Sequence, residues 1–274
     1  MRKAMFVLVL LAAAARADQK NVKLLTGLTD LELQRTMNMM RASMGTHCDY
    51  CHVLKDKWDF ASDDNPHKRR ARKMIEMVME LNKTNFNGLP VVSCYTCHRG
   101  SPKPVNLVEL PQTAPPKPVP GPPPPEPQLL AAKDIVARYA AALGDASKLK
   151  LPRVMKGERT NYEGTKPFEL TDKTDLFPLP APWEIGEEAK TIAKENDRWV
   201  VSLPNQRLYF DTNSGLLVRK VLFTPTSIGR IPEQFDYEDY RDAGGVEYPF
   251  RMRVSLVDPW RSATRVHTSV EITP

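Results

Sequence analysis

Two five-residue strings, Cys48-Asp49-Tyr50-Cys51-His52 and Cys94-Tyr95-Thr96-Cys97-His98, constrain this chain more than any other feature. Both have the form Cys-x-x-Cys-His, and together they contain all four cysteines of the sequence. Two thiols three residues apart can add to the two vinyl groups of one porphyrin, and the adjacent histidine is then held under the iron. The sequence therefore predicts two covalently bound haem c groups. The attachment residues are Cys48, Cys51, Cys94 and Cys97, and the proximal iron ligands are His52 and His98.

Other uses of paired cysteines explain less of this pattern. A four-cysteine zinc site has no use for a histidine directly after each pair. A thioredoxin-like redox pair would lie in a βαβ pattern, which the sequence lacks. Disulfides that staple a small exported domain leave both histidines unexplained. Because the whole string occurs twice, haem c is favoured over all three.

Residues 1–17 have the form of a secretory signal peptide. Arg2 and Lys3 precede an apolar run from Ala4 to Ala15, and residues 15–17 form an A-x-A cleavage site. The run is short for a bilayer span, so an uncleaved membrane anchor is the less favoured alternative. Export agrees with haem c, which bacteria attach outside the cytoplasm. The predicted location is the periplasm, with membrane association kept open.

The charge balance gives no support to a nucleic-acid-binding function. The chain has 39 basic and 33 acidic residues, and three of the basic ones lie in the predicted signal peptide, which leaves 36 against 33, or +3. Four haem propionates would offset much of this charge. No pattern of alternating basic and aromatic residues is present either.

A methionine-rich helix is predicted directly before the first motif. Thr29 and Glu32 form a capping box, and Gly45 is placed as a C-cap, so the helix should span residues 30–44. Its apolar positions fall on one face at helical spacing. They are Leu33, Met37, Met40 and Met44.

The iron of a c-type haem needs a second axial ligand opposite the histidine, and methionine is one of the few side chains that serve. Met44 is too close to Cys48 for the chain to reach the far face of the haem. Met39 points away from the apolar face of the helix. Met37 and Met40 therefore remain as alternatives for the first haem.

A second helix is predicted before the second motif, with Asn65 as N-cap, Pro66 in the first turn and an end near Asn82. Its apolar positions are Ala71, Met74, Ile75, Val78 and Leu81, with Met77 at the border of the same face. The arrangement of the first half is thus repeated. Two haem-binding units follow one another in the chain.

Five basic residues crowd the start of this second helix, where the helix dipole disfavours cations. They are Lys68, Arg69, Arg70, Arg72 and Lys73. They pair either with the nearby acidic residues or with haem propionates or an acidic redox partner. The acidic candidates are Asp59, Asp63, Asp64 and Glu76.

The remainder of the chain indicates a linker and a second domain. Residues 102–127 are too rich in proline for a helix or a sheet interior and predict an extended spacer. A helix over 129–143, closed by Gly144, is followed by alternating segments typical of strands. These segments are 199–203, 207–211, 216–223, 234–240, 250–256 and 264–272, with turns at 212–215 and 242–245. Met252 and His267 lie in predicted strands and are expected to be structural.

The predicted fold class is therefore a multidomain chain. A mainly α dihaem cytochrome c domain at 18–101 precedes the linker. An α+β domain at 128–274 follows, with a curved antiparallel sheet in the form of a half-barrel and a packing helix.

The segments MNMMRASMGTHCDYCH, ARKMIEMVMELN and SCYTCHRGSPKP carry a resemblance over residues 22 to about 104. This part of the chain resembles the cytochrome c subunit family of photosynthetic reaction centres. In that family a helix supplies the axial methionine of each haem. By position, the resemblance implies Met37 for the first haem and Met74 for the second, with Met77 as the alternative. The chain departs from the family in having two motifs where photosynthetic members commonly have four, and in lacking a lipid-anchor cysteine.

The C-terminal segments RLYFDTNSGLLVRKV and FDYEDYRDAGGVEYPFRMRVS resemble the half-barrels of the LolA-like class of lipoprotein carriers. This resemblance implies a curved sheet that holds an apolar ligand or docks a protein.

Together these features predict an exported dihaem electron carrier, without catalytic residues, that serves periplasmic or membrane-bound donor and acceptor proteins. One alternative is a dihaem peroxidase, which needs one iron with an open position. Another is a haem sensor or ligand carrier that acts through the C-terminal domain.

Overall fold

The computed structural model describes residues 19–106, 129–171, 175 and 179–273. The chain divides into two compact units, with the boundary between Pro102 and Lys103. The predicted signal peptide and most of the predicted linker lie outside the described residues. Within the described part, no helix combines the length and the apolar character that crossing a membrane requires.

The first unit contains, from residue 19 onward, three α-helices and a short hairpin. The helices are α1 (Asp30–Met44), α2 (Pro66–Asn85) and α3 (Cys94–His98), and the hairpin pairs β1 (Val53–Leu54) with β2 (Trp58–Asp59). The first Cys-x-x-Cys-His motif begins with a 3-10 turn, Cys48–Tyr50, and the second forms α3 itself.

Local sequence signals set the ends of α1, and the predicted bounds are confirmed. The backbone N–H of Glu32 donates to Thr29 Oγ1 at 3.3 Å, and the backbone N–H of Thr29 donates to Glu32 Oε2 at 2.8 Å. Gly45 adopts φ 62° at the C-cap, a left-handed conformation that favours glycine.

The start of α2 is also confirmed, because the Asn65 side chain accepts a hydrogen bond from the His67 N–H at 2.9 Å and Pro66 occupies the first turn. The helix ends at Asn85, three residues beyond the predicted end. At this end the Asn82 side chain accepts from Val92 N–H and donates to Val92 O, both at 2.8 Å. These bonds hold the chain that leads to α3 against α2.

The second unit, over its described residues, is a nine-stranded antiparallel sheet with one α-helix. The helix is α4 (Ala132–Ala142), and the strands are β3 (Arg153–Asn161), β4 (Gly164–Thr171), β5 (Lys190–Glu195), β6 (Arg198–Leu203), β7 (Gln206–Asp211), β8 (Leu217–Thr226), β9 (Gly229–Asp242), β10 (Glu247–Leu256) and β11 (Ala263–Ile272). Their order in the sheet is β4-β3-β11-β10-β9-β8-β7-β6-β5. The predicted antiparallel sheet is thus confirmed.

All six predicted strands are present, but β3, β4 and β5 were not predicted. β4 and β5 form the two edges of the sheet, and most of their side chains are exposed. An exposed edge strand carries many charged residues, so its sequence lacks the apolar alternation by which a strand is recognised. The helix α4 begins at Ala132 rather than at Leu129.

One face of α4 packs against the sheet. Ile135, Tyr139 and Leu143 are fully buried, and the Tyr139 ring lies 5.3 Å from the ring of Phe210 in β7. The Tyr139 hydroxyl donates to Pro180 O at 2.8 Å. The expectation that Met252 and His267 are structural agrees with their burial in the interior of this unit.

Candidate haem sites

The first motif folds back on itself immediately before the hairpin. The backbone N–H groups of Cys51 and His52 donate to Cys48 O at 3.2 and 2.9 Å. This turn gathers both thiols and the imidazole on one short loop. Both cysteines carry free thiols.

The chain around the first motif is anchored to the start of α2. The His67 ring stacks on the Tyr50 ring with centroids 4.2 Å apart, and His67 Nδ1 lies 3.0 Å from Tyr50 O. The Asn65 side-chain amide donates to Tyr50 O at 3.2 Å. The capping residues of α2 therefore also position the first motif.

The imidazole of His52 has the properties of a metal ligand. Burial lowers its pKa, and the charges of Lys68 and Arg72 lower it further, so the ring is neutral near pH 7. Neutral imidazole is the form that ligates metals. His52 Nδ1 is buried and has no hydrogen-bond partner within the described part of the chain.

The second motif is held by capping contacts and by the turn that follows it. The backbone N–H of Ser93 donates to Thr96 Oγ1 at 3.0 Å. His98 Nδ1 lies 2.9 Å from Ser101 O. Because a carbonyl only accepts, Nδ1 carries the proton and Nε2 retains its lone pair. This contact fixes the tautomer and orientation that a proximal haem ligand needs.

The two cysteine pairs are not gathered into one metal site. Among the described residues, no group of three or more His, Cys, Asp or Glu side chains lies close enough to hold a metal ion. Burial raises the pKa of the Cys51 and Cys94 thiols, so both are protonated near pH 7. Each pair is therefore available for its own partner.

The end of α1 contacts the chain that follows the second motif. The N–H of Gly100 donates to Ser43 O at 2.8 Å. A Cβ added to Gly45 would overlap the carbonyl oxygen of Gly100, so only glycine fits there. The helix before the first motif thus packs against the second motif, and both motifs belong to one compact unit.

On α1, the face that is buried against protein differs from the predicted methionine face and shares only Met40 with it. It consists of Thr36, Met39, Met40 and Ser43. Met39, which was expected to point away from the apolar face, is only 5% exposed. Met37 and Met44 are half-buried on the neighbouring face. A side chain must be accessible to ligate a haem iron, and Met37 meets this condition better than Met40.

On α2, the apolar residues divide into two faces. Ile75 and Val78 are buried against protein, as predicted. Met74, Met77 and Leu81 form a second face and are 39%, 44% and 38% exposed. Met74 and Leu81 were expected to belong to the packed face. The helix therefore presents a stripe of apolar side chains, two of them thioethers, that the described residues do not cover.

Two aromatic side chains near the first motif were not identified from the sequence. The Phe60 and His52 rings make an edge-to-face contact with centroids 5.1 Å apart, and Trp58 stacks on Phe60 with centroids 5.4 Å apart. Their alternation shortly after the motif, as Trp-Asp-Phe, was the available signal. Phe60 packs against the imidazole, and both aromatic side chains remain exposed.

Some of the five basic residues at the start of α2 form ion pairs with an acidic residue, and others are exposed. Lys68 and Arg72 form ion pairs with Asp63, so the pairing alternative holds for these two. Arg69 donates to the backbone carbonyl of Asp63. Arg70 and Lys73 are exposed, and no ion pair is found for either among the described residues.

The residues present fit covalently bound haem. Each motif offers two free thiols and one imidazole, and the buried Nδ1 of His52 and the proton-bearing Nδ1 of His98 are consistent with imidazole ligation through Nε2. Accessible thioethers lie on both helices that precede the motifs. An apolar macrocycle is the kind of group that the uncovered stripe of α2 can bind.

Comparison with known proteins agrees with this c-type cytochrome site. Residues 11–118 match the model of the family described as photosynthetic reaction centre cytochrome C subunit. The chain is 36% identical over 100 residues to the photosynthetic reaction center cytochrome c subunit of Roseobacter denitrificans, covering 34% of this chain and 27% of the relative. It is 33% identical over 88 residues to cytochrome c-554 of Chloroflexus aurantiacus, covering 30% and 20%. The resemblance expected for the N-terminal part is confirmed. The chain spans about a quarter of the length of these relatives.

Two solved structures are similar to about half of the chain. One is a LolA superfamily protein from Nitrosomonas europaea, with 6% identity, a TM-score of 0.36, and coverage of 53% of this chain and 94% of that one. The other is a putative outer membrane lipoprotein-sorting protein domain from Vibrio parahaemolyticus, with 7% identity, a TM-score of 0.35, and coverage of 52% and 92%.

Proposed function

We propose that the protein is an exported dihaem c-type cytochrome that passes single electrons between periplasmic or membrane-bound donor and acceptor proteins. The observation that carries this proposal is the pair of separate Cys-x-x-Cys-His motifs in one compact unit, each preceded by a helix with accessible methionines. The similarity to cytochrome c subunits of reaction centres supports it. Residues 1–17 are the signal peptide, 18–101 the haem domain, 102–127 the linker and 128–274 the second domain.

The proposed ligand sets are His52 with Met37 and His98 with Met74. Haem supplies reversible one-electron chemistry when bound, and a thioether opposite an imidazole favours Fe(II) and raises the reduction potential. With Met37 and Met74 as ligands beside His52 and His98, neither haem would offer a position to a substrate. The residues of the chain attach the cofactor, orient it and exclude water. The second domain is assigned a docking or apolar-ligand role on its resemblance alone.

A redox titration of the purified protein, with spectra at each step, tests this function. We expect two one-electron transitions and a weak far-red band from Met sulfur to ferric iron. Carbon monoxide binding by the reduced, folded protein would instead indicate an open iron position, as a peroxidase or a sensor requires. One haem per chain would contradict the dihaem assignment.

Single substitutions test the methionine ligands. Met37→Leu should lower the potential of one haem and spare the other, and Met74→Leu should do the reverse, because each removes one thioether from iron. Met40→Leu and Met77→Leu are the matched controls on the same two helices. If a control variant shifts a potential while its partner variant does not, the control residue is the ligand.

A further inference from the structure

Lys68 ties the segment after the hairpin to α2. Its Nζ donates to the carbonyls of Phe60, Ala61 and Ser62 at 2.8, 2.9 and 2.8 Å. The side chain is only 11% exposed. These three acceptors are neutral carbonyls, so they stabilise the ammonium group without cancelling its charge. The carboxylate partner of Lys68 is Asp63, at 3.3 Å, and Asp63 is shared with other cations.

A single carboxylate, Asp63, faces three cations. Arg72 Nη1, Lys68 Nζ and Lys23 Nζ lie 2.8, 3.3 and 3.5 Å from its oxygens. The Asn21 amide donates to the same carboxylate at 2.9 Å. These contacts hold the pKa of Asp63 far below its usual range, so it stays ionised. We call Lys23, Asp63, Lys68 and Arg72 the Lys68 cluster, and its formal charge is positive.

A second carboxylate in this segment, that of Asp59, is exposed. Asp59 accepts hydrogen bonds from the backbone N–H groups of Ala61 and Ser62 at 3.1 and 2.9 Å, and its exposed position lets water screen its charge. The buried charge beside the first motif is therefore that of Lys68, with Arg72 next to it.

The Lys68 cluster lies beside the first motif. Phe60, whose carbonyl Lys68 holds, places its ring 5.1 Å from the ring of His52. At the second motif, His98 Nδ1 meets a neutral carbonyl, and the neighbouring Arg99 is exposed. The two proposed haems thus lie in different electrostatic environments.

We propose that the Lys68 cluster raises the reduction potential of the first haem above that of the second. When the protein is reduced by one electron, that electron is then mainly on the first haem. A nearby buried positive charge disfavours ferric iron relative to ferrous iron, because the ferric state carries one more positive charge. This inference rests on the proposed dihaem function.

Two substitutions of opposite charge test the inference on the full-length, haem-loaded protein. Lys68→Met should lower the midpoint potential of the first haem. In protein reduced by one electron, the ratio of reduced first haem to reduced second haem should fall about tenfold. Asp63→Asn should raise the same potential, because it removes the negative member of the cluster. The shifted transition must be the one that Met37→Leu also shifts. Lys83→Met, an exposed lysine near the other end of the same helix and outside the basic group at its start, is the control and should leave both potentials unchanged, because water screens its charge.

The sign of the two shifts separates an electrostatic role from a structural one. Loosening of the 60–63 segment would move the potential in the same direction in Lys68→Met and Asp63→Asn, and this result would overturn the inference. Two unshifted transitions would overturn it as well and leave the proposed function standing. One haem per chain in the unmodified protein would overturn the proposed function itself, whereas two haems that titrate together would overturn only the inference. Circular dichroism and the haem absorbance spectrum of each variant verify that it folds and binds haem.

Discussion

Gly45 and Gly100 meet where the end of α1 touches the chain after α3. The sequence identified Gly45 as a helix cap, and its φ of 62° agrees. The sequence did not show that a Cβ at this position would overlap the carbonyl oxygen of Gly100, because the partner is distant in the chain. Gly45 therefore serves two purposes, and only the local one was predictable.

We expect Gly45→Ala to destabilise the N-terminal unit by more than the cost of left-handed backbone alone. Gly27→Ala is the matched control, because Gly27 has φ 84° and a Cβ added there would meet no atom of the described residues within 4 Å. The control should cost about 1 kcal/mol. Gly45→Ala should cost about 2–4 kcal/mol, since backbone must also move. Denaturant unfolding followed by haem absorbance measures both, and equal losses would contradict the role of Gly100.

At the level of elements, the helices near the haem sites were predictable because their signals are local. Capping residues set the bounds of α1 and the start of α2. The sequence predicted less well which face of each helix is buried, because burial depends on the element that packs against that face. Met39 is buried and Met74 is exposed for this reason. Of the missed strands, β3 pairs with the distant β11. The edge strands β4 and β5 pair with their sequence neighbours, and their mostly exposed side chains lack the apolar alternation of a typical strand.

The helix α4 provides a prediction for the second unit. Its Tyr139 hydroxyl donates to Pro180 O at 2.8 Å in a fully buried site. Tyr139→Phe should destabilise this unit by about 1–2 kcal/mol, because a buried carbonyl loses its donor. Tyr162→Phe is the control, since Tyr162 is 64% exposed. Thermal unfolding followed by far-UV circular dichroism measures the difference, and equal melting temperatures for the two variants would refute this account of α4.

For the whole molecule, the ten residues of the two Cys-x-x-Cys-His motifs predicted the cofactor. The order of strands in the sheet could not be predicted from the sequence. β3 pairs with β11 and thereby brings residues near 155 next to residues near 270. Nothing in either segment specifies the other. The core of the second unit is nevertheless built entirely from its own residues, from Leu130 to Ile272. The haem sites are likewise built from residues of the first unit.

Because each unit contains its own core, we expect the haem-loaded chain to unfold in two separable transitions. Haem absorbance should report the first unit, and far-UV circular dichroism in the β-sheet region should report the second. Gly45→Ala should shift only the haem transition, and Tyr139→Phe only the sheet transition, since energetic effects at distant, unconnected sites are independent. A calorimetric scan of the unmodified chain and of both variants checks this. If each substitution shifted both transitions equally, the two units would be one cooperative structure, and the proline-rich segment would not act as a spacer between domains.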